Sequence, residues 1–201
     1  MTQYCFIVKY LPKEANVNVL AGKCLSILHG FVARHNVQGL GVTFPDWSDS
    51  SIGSTIAFVH ADSALLAQFS QQRYFTDMRD FGFFSVGEIN RVPEQCAQVR
   101  FLRNQHYSKQ FVGSVRRRIM RLKRRAAQRG EEYIPSGYRS ETEYALSHSI
   151  PTKSRSTQQG FMLHIQKELA EKNEVVHVFN GYGLSDSTRA IGTVPDLHGL
   201  F

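Results

Sequence analysis

The chain has 201 residues, 42% of them hydrophobic and 20% charged, with a formal net charge of +7. That length buries a real core and suits one large domain or two small ones, and the composition excludes a disordered or fibrous chain. No apolar run approaches the roughly 18 residues of a membrane span. The start, MTQYCFIVKYLPKEA, lacks the basic region, apolar run and cleavage site of a signal peptide, so a cytoplasmic protein without a membrane partner is expected. Cys5, Cys24 and Cys96 are scattered and odd in number; they fit buried thiols in a reducing compartment, not a disulfide frame or a zinc site.

In chain order, Tyr4 to Tyr10 alternates as a strand, with Tyr4, Phe6, Val8 and Tyr10 on one face, and Pro12 ends it. Asn18 to Ala33 has helical spacing, with Leu20, Cys24, Ile27, Leu28 and Phe31 on the apolar arc. Gly39 to Phe44 reads as a second strand, closed by Pro45 and the turn-rich PDWSDSS. Ser54 to His60 is a third strand, Ser63 to Gln71 a second helix continuing in broken form toward Arg79, and Phe84 to Val92 a fourth strand stopped by Pro93. The order β-α-β-β-α-β is the split βαβ, or ferredoxin-like, arrangement. Many RNA-recognition domains share it, but the aromatic signature with its Lys/Arg-Gly-Phe core is absent.

Beyond Pro93 a strand is expected from Ala97 to Leu102 and a helix from Val112 to Gln128, with Gly130 as its stop. Glu141 to Leu146 reads as a short helix and the polar stretch from Ser147 to Gly160 as a loop. Phe161 to Gln166 and Val175 to Asn180 read as strands joined by the turn-like AEKNE. The expected class is therefore α+β. A ferredoxin-like domain spans residues 1–93, and a second domain, 94–201, carries a basic helix and a small antiparallel sheet.

The charge is not spread evenly. Between Gln95 and Gly130 there are eleven Lys and Arg and no Asp or Glu, so the other residues sum to −4. A localised basic patch implies a polyanionic partner. On the helix, Val115, Ile119, Leu122 and Ala126 form one apolar stripe, whereas Arg117, Arg118, Arg121, Arg124 and Arg125 fall within an arc of roughly 120° away from it. Arg116 opens the same run. A solvated helix mixes signs three or four positions apart; here no acid is within reach. Arg also favours bidentate phosphate contacts. Nucleic acid is the expected partner, and charge alone does not separate RNA from DNA.

His29 lies off the arc centred on Leu20, Cys24, Ile27 and Phe31, so it is not an obvious core residue. An imidazole is suited to taking a proton from a hydroxyl near neutral pH. The other histidines show no ligand spacing with Cys or with each other, so no metal is expected, nor any other cofactor. Ser154 and Ser156 stand in KSRSTQQG, where serine hydroxyls suit a phosphate or a ribose. There is no Gly-x-Ser-x-Gly elbow, no phosphate-binding glycine loop and no convincing two-metal cluster of acids. Metal-free cutting of a nucleic acid needs a nucleophile within the substrate. The ribose 2′-hydroxyl is one, which points to RNA. A purely RNA-binding subunit without catalysis is the alternative.

Four stretches carry a resemblance over essentially the whole chain: KCLSILHGF with GVTFPD, SVRRRIMRLKRR, KSRSTQQGFMLHI and YGLS. Together they resemble the CRISPR-RNA processing endoribonucleases of type I-F systems, with some likeness to transposon-associated branches. The resemblance implies a ferredoxin-like domain followed by one with an arginine-rich helix. It implies recognition of the CRISPR repeat hairpin and cleavage at the 3′ base of its stem. His29 matches the general base, Ser154 the serine that positions the attacking ribose, and Tyr182 the tyrosine that orients the histidine. Ser156 matches a serine that holds RNA, and Phe161 the aromatic that stacks on the terminal base pair. Arg103 and Gln105 match, after a two-residue shift, an Arg-x-Gln pair that reads bases near the cut. Arg117, Arg118 and Arg121 match the helix residues that face the hairpin. Leu122, where some members continue the arginine row, and Gly160 depart from the pattern. The partners so implied are the repeat hairpin, other subunits of the guide-RNA surveillance complex such as its backbone subunit, and, in the transposon-associated branch, a targeting adaptor.

Overall fold

A computed structural model describes residues 2–104, 112–132, 146–154, 158–170 and 175–200, with residues 112–118 described by their backbone alone. β1 (Tyr4–Tyr10) buries Phe6, Val8 and Tyr10 on one face, as the alternation predicts, and Cys5 on the other. α1 (Val17–His35) begins where the Asn16 side chain accepts the Val19 N–H and ends on Asn36 in the left-handed conformation. These ends satisfy backbone groups the helix leaves unpaired. β2 (Gly41–Thr43) and β3 (Thr55–His60) follow. Asp62 caps α2 (Ser63–Ser70), and after a break at Gln71 and Gln72 comes α3 (Arg73–Asp80). The expected fourth strand is two short ones, β4 (Phe84–Val86) and β5 (Asn90–Arg91), both antiparallel to β1. Gly87 interrupts them, its N–H donating to the Ile7 carbonyl.

The strand order β2-β3-β1-β4, with β5 also on β1, is the ferredoxin-like order, antiparallel throughout. Phe6, Phe58, Phe69 and Phe75 are fully buried and meet at ring centroids 4.9–6.1 Å apart, which fastens α2 and α3 to the sheet.

The second sheet has the order β7-β8-β6-β9, all antiparallel. It comprises β6 (Gln98–Arg103), β7 (His148–Lys153), β8 (Gly160–Leu169) and β9 (Val194–Pro195). β7 lies inside the stretch read as a loop. Ile150 and Thr152 face inward and are buried, and six residues pair with β8. Tertiary pairing overrides the polar composition there. Val175 to Asn180 is not a strand. Val176 and Val178 accept backbone bonds from Thr193 and Gly192, and the segment then enters the turn set by Asn180. The short helix read at 141–146 and the turn at 171–174 lie outside the described residues, apart from Leu146, which is not helical.

The basic helix α4 (Val112–Gln128) ends as expected. Gly130 has φ 72°, the Glu131 N–H donates to the Ala126 carbonyl and the Gly130 N–H to that of Ala127. That pair of bonds around a left-handed glycine is a Schellman stop.

One apolar core joins the two sheets. It runs from Leu25, Leu28 and Phe31 of α1 to Val99, Phe101, Ile150, Leu163, Ile165 and Leu184. α1 meets β7 so closely that a Cβ on Gly22 would lie 1.9 Å from the Pro151 carbonyl oxygen. The Thr152 hydroxyl donates to the Gly22 carbonyl at 3.2 Å. Among the described residues no helix is long and apolar enough to cross a membrane.

Candidate active site and nucleic-acid interface

The buried face of α1 is set by Ala21, Cys24, Leu25, Leu28 and Phe31, whereas Leu20 and Ile27 are only partly buried. The core arc is thus rotated from the one expected. At about 100° per residue, His29 stands on its flank, not opposite it. A half-buried position results, and the 180–185 segment covers it.

That segment is held from several sides. The Asn180 side chain accepts the Tyr182 and Leu184 N–H groups, and Gly183 takes φ 69°. The Gly183 carbonyl accepts the Val42 N–H of β2. Ser185 bonds Phe101 and Arg103 of β6 through its backbone. Both sheets therefore fix one turn, and the turn presents Gly181 and Tyr182 to His29.

His29 Nδ1 lies 3.1 Å from the Gly181 carbonyl oxygen. A carbonyl only accepts, so Nδ1 carries the hydrogen, and in the neutral ring Nε2 holds a lone pair. The imidazole stacks on the Tyr182 ring, centroids 4.4 Å apart and planes 11° apart. Phe161 meets Tyr182 edge-on at 6.3 Å. The Arg103 guanidinium lies 5.6 Å from the Tyr182 ring centre and 5.9 Å from that of Phe161, within cation–π range. Burial raises the Tyr182 phenol above its ordinary value against the opposing pull of Arg103. His29, Tyr182, Phe161 and Arg103, which lie far apart in the chain, form one cluster.

Ser154 follows β7, and its N–H donates to the Gln159 carbonyl, closing the β7–β8 hairpin. It is half-buried and lines a groove of about 910 Å³ that also includes Ile27 and Gly30 of α1. Ser156 and Gln105 lie outside the described residues, as do the side chains of Arg116, Arg117 and Arg118. On the rest of α4, Ala126 is buried and Ile119 and Leu122 partly so, while Arg121, Arg124 and Arg125 are exposed. The apolar stripe and basic face thus separate as the wheel predicts.

Several other histidines also bond backbone carbonyls: His60 to Gln38, His148 to Ser48 and His198 to Pro45. His29 differs in its company of Tyr182, Phe161 and Arg103. Among the described residues no three His, Cys, Asp or Glu gather as a metal site. Cys5 and Cys24 are buried, and burial pushes their thiols up to about 11 and about 12. Sequence reasoning missed Gly181, whose carbonyl sets the tautomer, and Gly22. The signal for the first was present in Gly-Tyr-Gly, two glycines flanking the aromatic.

A ferredoxin-like fold carrying one acid-free arginine helix, with an imidazole at the seam of two sheets, belongs to the class of small basic proteins that handle nucleic acid. The family model described as CRISPR-associated protein (Cas_Csy4) matches residues 6–197. The chain belongs to this family of CRISPR endoribonucleases, which act in CRISPR-associated RNA processing. A comparison with curated proteins found no match.

Proposed function

We propose that this chain is a metal-independent endoribonuclease that binds the CRISPR repeat hairpin and cuts it at the 3′ base of the stem. The observation that carries the reading is the His29–Gly181 bond, which leaves Nε2 as the basic nitrogen. Nε2 takes the proton of the 2′-hydroxyl, and the 2′-oxygen attacks the adjacent phosphorus. The bond from phosphorus to the 5′-oxygen breaks, giving a 2′,3′-cyclic phosphate, and the departing oxygen takes a proton to become a 5′-hydroxyl. Holding the nucleophile beside the base supplies much of the acceleration.

In this reading Ser154 orients the attacking ribose and Tyr182 holds the imidazole. Phe161 stacks on the terminal base pair and Ser156 grips the RNA. Arg103 and Gln105 read bases at the cut, Arg103 from beside the histidine–tyrosine stack. Arg116, Arg117, Arg118, Arg121, Arg124 and Arg125 hold the hairpin. Residues 1–93 supply the base and 94–201 the hairpin-binding surface. The protein works in the cytoplasm and stays on the mature guide RNA as a subunit of a type I-F surveillance complex. There it sits beside the backbone subunit and, in a transposon-associated system, touches a targeting adaptor.

Incubation of the cognate repeat RNA in EDTA, followed by end-group analysis, tests this. One cut with a cyclic phosphate and a 5′-hydroxyl is expected. Tight binding that leaves the RNA whole would show a binding-only subunit instead.

A further inference from the structure

Outside the arginine window the chain has thirteen Lys and Arg against 17 Asp and Glu. Four of those thirteen, Lys23, Arg34, Arg73 and Lys153, nevertheless line the groove between α1, α3 and β7, and among the described residues no carboxylate does. All four are exposed. Lys23 rests 5.7 Å from the centre of the Tyr74 ring, which holds its ammonium against the groove wall. Among the described residues Arg73 forms an ion pair with Asp77, and both are substantially exposed, so that pair competes weakly with a phosphate.

The α3 end of the groove adds to this. Gln72, Arg73 and Tyr74 form the start of α3, where the Gln72 side chain makes no cap bond. An uncapped N-terminus next to an arginine favours a phosphate. From Lys23 to Arg34 the α1 wall is about 16 Å long, enough for a short run of nucleotides.

Gly30, next to His29 in the chain, lines the groove. On the α1 wheel, Gly30 falls between His29 on one side and Lys23 and Arg34 on the other. Ser154 lines the same groove. A ribose held at Ser154 would therefore sit in the same groove as Lys153, Lys23, Arg34 and Arg73.

We propose that this groove holds the single-stranded RNA that continues 3′ of the cleaved bond. The inference rests on the endoribonuclease reading above. The hairpin would be gripped on α4 and the downstream strand on α1 and α3, so the scissile phosphate is drawn between two anchored segments.

The test uses repeat RNAs with a 2′-deoxy sugar at the attacking position, which bind without being cut. One ends at the stem base, one carries a short single-stranded 3′ extension, and one carries a 5′ extension. For the wild-type chain the 3′ extension should tighten binding about tenfold and steepen the salt dependence by roughly 0.7 per phosphate held. The Lys23→Ala/Arg34→Ala/Arg73→Ala variant should lose that gain while binding the trimmed hairpin as before and melting at the same temperature. The inference is overturned if the 3′ extension adds nothing, if the triple variant keeps the gain, or if only the 5′ extension is sensitive to it. It is equally overturned if an acidic protein subunit, and not RNA, loses its affinity in the variant. Failure of the trimmed hairpin to bind at all would instead remove the parent reading, so the two failures are distinguishable.

Discussion

The imidazole of His29 lies flat against the Tyr182 ring, with centroids 4.4 Å apart and planes 11° apart. The contact is made by ring faces. Tyr182→Phe keeps the face and should keep cleavage within about threefold of wild type, whereas Tyr182→Ala frees the imidazole and should slow cleavage by about ten- to a hundredfold. Single-turnover rates at saturating hairpin separate this loss from any change in affinity.

The carbonyl of Gly181 fixes the tautomer, and the residue has no room for a side chain. A Cβ there would lie 2.8 Å from His29 Nδ1. Gly181→Ala should displace the ring and lower the cleavage rate about a hundredfold while hairpin binding persists. A nitrogen-15 NMR spectrum of the histidines checks the cause: the Nδ1–H tautomer of His29 should dominate in the wild-type protein and lose that dominance in the variant.

These two residues show what the sequence made legible. The alternation and helical spacing of the first ninety residues were enough for the split βαβ order, and the acid-free arginine stripe was visible as charge alone. His29 stood out only as a residue off the apolar arc. The arc itself was rotated, because Leu25 is buried and Ile27 faces the groove. The polar residues of β7 suit a loop; its pairing with β8 and seat on α1 are tertiary facts that local composition does not encode. The nearness of Arg103 to Phe161 and Tyr182 likewise depends on strands far apart in the chain.

The seat of β7 yields a stability prediction. Gly22→Ala places a methyl group 1.9 Å from a backbone oxygen, so helix and strand must part. Overpacking of this kind costs about 3 kcal/mol. For a chain of this size that lowers Tm by roughly 6–12 °C, measurable by differential scanning calorimetry. Because β7 leads to Ser154, cleavage should fall as well.

Asp186 anchors the far side of the turn. N–H groups of Arg189, Thr188 and Ala190 and the Thr188 hydroxyl hold its carboxyl down to about 2, from an ordinary value of 3.8. A depressed carboxyl contributes stability that is fully present above its unfolded value and lost as pH falls through the folded one. Asp186→Ala should therefore be less stable by about 1 kcal/mol near neutrality, and the difference should vanish as pH falls from about 4 toward 2. Denaturant melts at several pH values check the sign.

The basic helix should govern affinity more than bond breaking. Replacing Arg117, Arg118 and Arg121 together by Ala should flatten the slope of log affinity against log salt by up to about two units, at roughly 0.7–0.9 per phosphate contact. Filter binding across a salt series reads it. An unchanged slope would remove these residues from the interface.

The most direct test of the account is His29→Ala, assayed for both cleavage and hairpin binding in EDTA. Cyclic-phosphate product should disappear while affinity stays near that of the wild type. A variant that cuts at the wild-type rate, with the same ends, would contradict it, because the only base it assigns would then be dispensable.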